Sequence, residues 1–422
     1  MRVMKWSMIA LAVSASTSQF AMASSQDDAK GFFEDQSLST LARMLYMNRD
    51  FKNENAVSKN QSYREETGLG LRAIYESGFT QGTVGVGVDA FALGSIKLDS
   101  GRGRTGNGLF GTDSDGRPED TQSRTGGAVK FRLSDTVLKY GNQFVASPVF
   151  STDDSRLIPE SATGTLITSK EIKGLELSAG RFTSLASQTG MGRDSINGGG
   201  PGLTSADIAG ATYQFTDNFV AGVAASDVED YFKKQYLNAN YTVPINEDQS
   251  LNFDFNGYRT SSQGQELAGD VDNKIWSLAA AYSLGAHKFT VAHQRSSGDS
   301  GYYYGVDGNG TIFLANSIQY SDFNGQDERS WQARYDLNMK TYGVPGLSFM
   351  TRYVTGDNIT TSADVEGKEH EWDFESKYVM QSGPAKDLSF RLRSAIYRSN
   401  TAYSGGDNND VRLIVEYPLS IL

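Results

Sequence analysis

Arg391-Leu392-Arg393 carries two guanidinium groups two residues apart. In an extended strand that spacing puts both on one face, about 6.6–6.8 Å from each other along the chain. Lys130-Phe131-Arg132 repeats the arrangement, with Val129, Phe131 and Leu133 on the other face, and Arg412 alternates with Val411 and Leu413. An arginine fork donates two parallel hydrogen bonds to a carboxylate and stays charged. A row of such groups along a narrow polar face would attract anions and pass them stepwise. The plain alternative is wall-stiffening ion pairs, for which Asp336, Asp373, Glu375 and Glu416 are available partners. Arg391 and Arg393 fit it less well, because a stiffened wall would more simply alternate signs. Other chemistry is poorly provided for. Cysteine is absent, and the three histidines, His287, His293 and His370, are scattered. The best candidate base, His293, shares its strand phase with Phe289 and Val291, away from the polar face, so no Ser-His-acid set is expected. The chain reads as a non-enzyme with no cofactor and no metal centre.

These residues need strands to hold them. The clearest pattern is strict alternation: Trp331, Ala333, Tyr335, Leu337 and Met339 lie on one face, and Gln332, Arg334, Asp336 and Asn338 on the other. That two-residue period belongs to a strand, not a helix. It recurs in 84–89, 237–243, 251–256, 276–282, 372–375 and 411–417. Such a period suits a water-soluble sandwich or an outer-membrane barrel, in which the apolar face meets lipid and the polar face lines a lumen. Three features favour the barrel. Aromatic residues recur near strand ends (Tyr75, Phe219, Tyr241, Trp276, Tyr282, Trp331, Tyr417). The strands run to about 9–11 residues, enough for a tilted crossing. Short and long connections alternate.

Eight tight turns are expected at 78–82, 134–136, 169–174, 216–218, 244–248, 284–287, 342–346 and 382–387, each carrying Gly, Pro, Asp or Asn residues suited to a turn. With both termini on the periplasmic side, eight turns imply eighteen strands, and boundary slips would make sixteen or twenty. The first strand, near 38–49, would pair with the last, near 410–417, because lipid tolerates no open edge. Long polar segments, expected as loops, fall at 50–63, 98–126, 143–165, 184–205, 227–234, 260–273, 295–315, 355–370 and 399–410. Gly101–Gly108 and Gly198–Gly202 suit exposed loops and lack the lysine and helix of a phosphate-binding loop. The interior of such a barrel need not be apolar.

Composition agrees. The 422 residues have 45 Gly, 8 Pro, 21 Tyr and 22 Phe and a formal charge of -11. The acidic balance disfavours nucleic acid, which requires a basic face. Residues 1–23 read as a secretory leader, with Arg2 and Lys5 before a short apolar run and Ala21-Met22-Ala23 as cleavage site. Its removal would leave one barrel domain, 24–422.

The chain resembles the OprD-like outer-membrane carboxylate channels of gram-negative bacteria. The resemblance rests on Gly31–Asp35, Tyr46–Asp50, Ser77–Gly85, Lys130–Ser134, Ser155–Pro159, Gly180–Thr183, Gln249–Asn256, Ile312–Gly325, Ser330–Asp336, Tyr378–Asp387 and Val411–Leu422. It implies an all-β fold: an 18-stranded antiparallel transmembrane β-barrel with short periplasmic turns, long extracellular loops and an inward-folded, constricting third loop. It also implies a monomer embedded in outer-membrane lipid and lipopolysaccharide. The implied basic ladder comprises Arg49, Arg64, Lys130, Arg132, Arg391, Arg393 and Arg412, with Arg156 in the constricting loop. An opposite, acidic side is implied in the seventh loop, at Asp299, Tyr302, Tyr304 and Asp307. The expected function is passive, selective diffusion of small carboxylates, with aromatic or small aliphatic acids preferred over basic amino acids. A barrel hydrolase and an adhesin with interacting loops are the competing readings.

Overall fold

The computed structural model describes residues 24–52, 61–192, 202–362, 365–403 and 406–421. The expected leader lies outside them, as does most of Gly198–Gly202. The strands in chain order are β1 (Ser37–Phe51), β2 (Tyr63–Glu76), β3 (Val84–Asp99), β4 (Thr121–Leu133), β5 (Thr136–Gln143), β6 (Ala146–Ser147), β7 (Phe150–Ser151), β8 (Ser161–Ile172), β9 (Leu175–Ala186) and β10 (Ala206–Thr216). They continue as β11 (Phe219–Val228), β12 (Phe232–Asn246), β13 (Gln249–Ser262), β14 (Asp272–Leu284), β15 (His287–Ser297), β16 (Arg329–Asn338), β17 (Leu347–Ile359), β18 (Gly367–Val379), β19 (Ser389–Ser399) and β20 (Asn408–Ser420). The two-residue strands β6 and β7 form a small hairpin within the third loop. The other eighteen form one antiparallel sheet that closes on itself. Closure is made by β1 against β20, in register from Ser39 opposite Ser420 to Phe51 opposite Asn408. Every backbone ladder then has a neighbour on both sides, as a bilayer demands.

All eight short connections fall where the turn residues put them. Between β16 and β17, for example, a single 3₁₀ turn (Met339–Tyr342) ends on Gly343, in the left-handed region at φ 83°. The apolar phase faces outward: Trp331, Val291, Phe289, Leu392 and Leu413 are all exposed on the outer surface. Near the periplasmic rim Phe215 stacks on Phe219, which meets Tyr241 edge-on, with ring centroids 5.1 and 6.1 Å apart.

Two expectations need correction. The seventh loop runs from 298 to 328, well beyond the expected end at 315, because Ile312–Gly325 is irregular backbone, with turns, bends and Phe323 at φ 49°, and forms no strand. It enters the barrel instead of capping it. Within 98–126, the middle is not exposed: Asn107, Leu109 and Phe110 are buried and pack, with Leu157 of the third loop, on Leu45 and Met47 of β1. The second, third and seventh loops therefore all fold inward. The lumen consequently has an apolar core on one side, which the pattern of strands alone did not require. Phe150, Phe182, Ile208, Tyr258, Ile275 and Tyr302 are among the residues that join the third and seventh loops to β9–β14.

Candidate functional site: a charged arc along the pore wall

The alternating phase points every odd residue of β1 and β19, and every even residue of β2, β4 and β20, into the lumen. Since β19, β20, β1, β2, β3, β4 and β5 are consecutive neighbours, their cations form one arc. Arg49 lies opposite Arg64 across the β1–β2 ladder, and Arg393 opposite Arg412 across β19–β20. Arg49 and Arg64 occupy the extracellular half, and Arg412 stands at mid-barrel, level with Arg393. Arg391, Lys130 and Arg132 lie toward the periplasmic turns.

One local arrangement repeats along this arc: two cations share one carboxylate. Asp410 accepts from Arg49 Nε at 2.7 Å and from Arg412 Nε at 2.7 Å. Glu375 Oε2 lies 2.7 Å from Arg391 and 3.4 Å from Arg393. Asp89 lies between Lys130, at 2.7 Å, and Lys139. Asp154, from the third loop, takes a two-pronged contact from Arg72 at 2.6 and 2.7 Å and a further one from Arg43 at 2.9 Å. Arg43 also holds Glu416 at 2.6 Å. The shared carboxylate removes the repulsion that made Arg391 and Arg393 an awkward pair, and the trios on Asp410, Glu375 and Asp89 each retain a net positive charge, whereas Glu416 balances the one on Asp154.

Three of the expected cations have no carboxylate within salt-bridge distance among the described residues. Arg64 donates to the Gly106 carbonyl at 3.0 Å and lies over the Phe51 ring. Arg132 donates to Gln26 Oε1 at 2.8 Å and lies over Phe79, 4.2 Å from its centroid. Arg156, in the third loop, donates to the Asn107 carbonyl at 2.9 Å and to Ser155 Oγ at 2.9 Å. Burial, then the nearby Arg412 and Arg49 charges, push the Arg156 guanidinium down to about 9, which leaves it charged at neutral pH. Asp154 shows the opposite balance. Burial opposes its ionisation, yet Arg72 and Arg43 hold its carboxyl below the usual carboxylate range.

The seventh-loop residues separate. Asp299 is exposed at the start of the loop. Tyr302 is buried in the apolar core and donates to the Thr311 carbonyl at 2.6 Å. Asp307 is fully buried, 2.6 Å from the equally buried Lys234 of β12, so it is sealed off from a solute instead of lining an acidic face. Tyr304 alone meets a partly accessible acid: its hydroxyl donates to Asp322, which also accepts from Ser317 Oγ at 2.6 Å. Burial foremost, with Asp153 nearby, pushes the Asp322 carboxyl upward. Asp299 and Asp307 are therefore not brought together, whereas Asp153 and Asp322 lie near each other.

Residue phase could have found two more members of the arc. Arg43 shares its face with Arg49, and Arg72 shares its face with Arg64. Arg124 of β4 also points inward, but donates only to backbone carbonyls, at Ser187 and Gly190 (2.8 Å each) and at Pro159, and so fastens loops to the wall. Glu160 does similar work between loops. It is buried and accepts from Asp153 N at 2.8 Å, Asn309 N at 3.0 Å and Asn309 Nδ2 at 2.5 Å. Gly308 permits that junction: at φ 93°, a Cβ there would lie 1.9 Å from the Ser151 carbonyl oxygen.

A closed 18-stranded barrel with three loops folded into it and cations along one wall defines a diffusion pore, a channel and not an enzyme. Residues 30–421 match the model of the outer membrane porin OprD family, and the chain belongs to that family, in the outer membrane of a gram-negative bacterium. It is 50% identical to Porin D of Pseudomonas aeruginosa, with 100% of each chain covered. Among solved structures it is similar to OccAB1 of Acinetobacter baumannii (TM-score 0.89, 35% identity, 94% and 100% covered). It is also similar to Pseudomonas aeruginosa OpdK, solved with vanillate (TM-score 0.83, 33% identity, 92% and 100% covered).

Proposed function

We propose that this porin passes small carboxylates by passive diffusion along the cationic arc, each chain forming its own pore. The carrying observation is the two-to-one pairing of cations with carboxylates, together with Arg64, Arg132 and Arg156, which no carboxylate holds. A carboxylate entering near Arg64 and Arg49 can exchange from one fork to the next, because each fork retains unused N–H donors. Arg156 narrows the path from the loop side, opposite Arg49 and Arg412. The complex of OpdK with vanillate, an aromatic acid, supports aromatic carboxylates as a substrate class for a relative with the same fold.

A second reading has its own support. Asp153 and Asp322 with Tyr304 would give the constriction an acidic side, carried by residues other than Asp299 and Asp307. A transverse field between that side and Arg156 would orient a solute bearing both a carboxylate and an ammonium group. Basic amino acids then rank with, not below, aromatic and small aliphatic acids. Liposome uptake of benzoate, succinate and arginine separates the two readings. Arg391→Gln with Arg393→Gln should slow all three. Asp322→Asn should slow arginine alone. Uptake of all three unchanged in the arginine variant would overturn the carboxylate path.

A further inference from the structure

On the outer surface, at the extracellular ends of β13–β16, four cations lie side by side. Arg259 of β13 is directly opposite Lys274 of β14, and Arg295 of β15 is directly opposite Arg329 of β16. Trp276, two residues deeper than Lys274 on the same face, lies opposite Arg295 and ties the two pairs into one patch. All four point outward and are exposed. The patch crosses three strand spacings, about 14 Å.

Like charges directly opposite each other on a ladder destabilise it, and elsewhere on the outer rim that cost is avoided. Arg181 pairs with Asp207 across β9–β10 at 2.9 Å, and Lys233 with Asp227 across β11–β12 at 3.0 Å. None of the four cations on β13–β16 has a carboxylate within salt-bridge distance among the described residues. The one acid in register with them, Asp357 of β17 opposite Arg329, stands at the edge of the patch and makes no such contact. Immediately beneath lies an aromatic shelf: His293 stacks on Trp331 at 4.2 Å and meets Trp276 edge-on at 5.4 Å. Val291 and Leu278 continue the surface downward as an exposed apolar band.

Rings above an apolar band mark the interface level of a membrane, so the patch stands at headgroup height in the outer leaflet. A cluster of unpaired cations there is complementary to a polyanionic headgroup. We infer that Arg259, Lys274, Arg295 and Arg329 form a binding site for the phosphorylated headgroup of outer-leaflet lipopolysaccharide, with its acyl chains over Trp276 and Trp331. Several phosphates on one headgroup bridge all four cations at once, which a single phosphodiester lipid cannot do.

The test is native mass spectrometry of the full chain in detergent. The probes are bisphosphorylated lipid A, monophosphorylated lipid A and phosphatidylglycerol. The chain should bind them in that order of affinity. The variant Arg259→Gln/Lys274→Gln/Arg295→Gln/Arg329→Gln should bind bisphosphorylated lipid A more than about tenfold more weakly. The control Arg181→Gln/Lys233→Gln, which removes paired cations, should bind as the parent does. Unchanged conductance and heat-modifiable gel mobility report correct folding. Should the quadruple variant fail to fold, Lys274→Gln/Arg295→Gln carries the same expectation at smaller size. Equal affinity of variant and parent, or phosphatidylglycerol bound as tightly as bisphosphorylated lipid A, would overturn the inference.

Discussion

The two halves of this lumen use charge in opposite ways. Around β19, β20 and β1–β5, carboxylates are shared between two cations and positive charge is left over; Arg49, Arg391 and Arg393 stay partly accessible, while Asp410 and Arg412 are buried. On the other side Lys234 and Asp307 form a one-to-one pair with no exposure, under Phe232 and Tyr302, whose rings lie 4.9 and 4.7 Å from the ammonium nitrogen. The first arrangement leaves donors for a passing anion. The second consumes its charge to hold the seventh loop against the wall. Stoichiometry, more than residue type, separates a conducting wall from a fastening.

The largest effect should come from the fastening. Asp307→Ala leaves Lys234 buried without a partner and should cost about 3–5 kcal/mol, read as a lowered unfolding midpoint in lipid. Replacing both members, Lys234→Met with Asp307→Leu, should recover most of that loss. If the single change is harmless, the contrast between the two halves fails. Next comes Arg391→Gln/Arg393→Gln, which should weaken carboxylate block or flux by about tenfold or more, since a hydrogen bond to a charged group contributes about 1.5–3 kcal/mol. Glu375→Gln should act in the opposite direction and by less: freed of their shared neutraliser, Arg391 and Arg393 attract carboxylates more strongly, and a lower half-saturation concentration should result.

The smallest effect concerns the junction of the inward loops. Burial pushes the Glu160 carboxyl up to about 7, despite hydrogen bonds from Asp153 and Asn309. The folded chain thus binds this proton more tightly than the unfolded chain. The contribution of Glu160 to stability is full at low pH and is lost as pH rises from the ordinary glutamate range through about 7. Glu160→Gln should flatten that slope in unfolding midpoints measured between about pH 5 and pH 8, and an unaltered slope would assign the titration elsewhere.

The sequence carried the barrel because turns and period are local. Ser134-Asp135, Asp217-Asn218 and Gly285-Ala286 each connect strands where their turn chemistry suggests. Which residues face inward followed from phase, and it placed Lys130, Arg391, Arg393 and Arg412 correctly on the polar face. Partners were not legible. Arg49 meets Asp410 from 361 residues away, and only the closing register of β1 on β20 brings them together. Loop paths were equally hidden. Asp307 looks like any exposed loop acid until Gly308 lets the chain approach Ser151 and carries it down onto Lys234.

The most direct test of the central claim is the zero-current potential of single pores in a planar bilayer, under a gradient of a sodium carboxylate. The parent is compared with Arg156→Gln/Arg391→Gln/Arg393→Gln. If the residual positive charge of the arc draws carboxylates through the pore, the variant's potential shifts toward that of sodium, and saturation of the current by carboxylate is lost. Identical potentials and identical saturation in parent and variant would contradict the account.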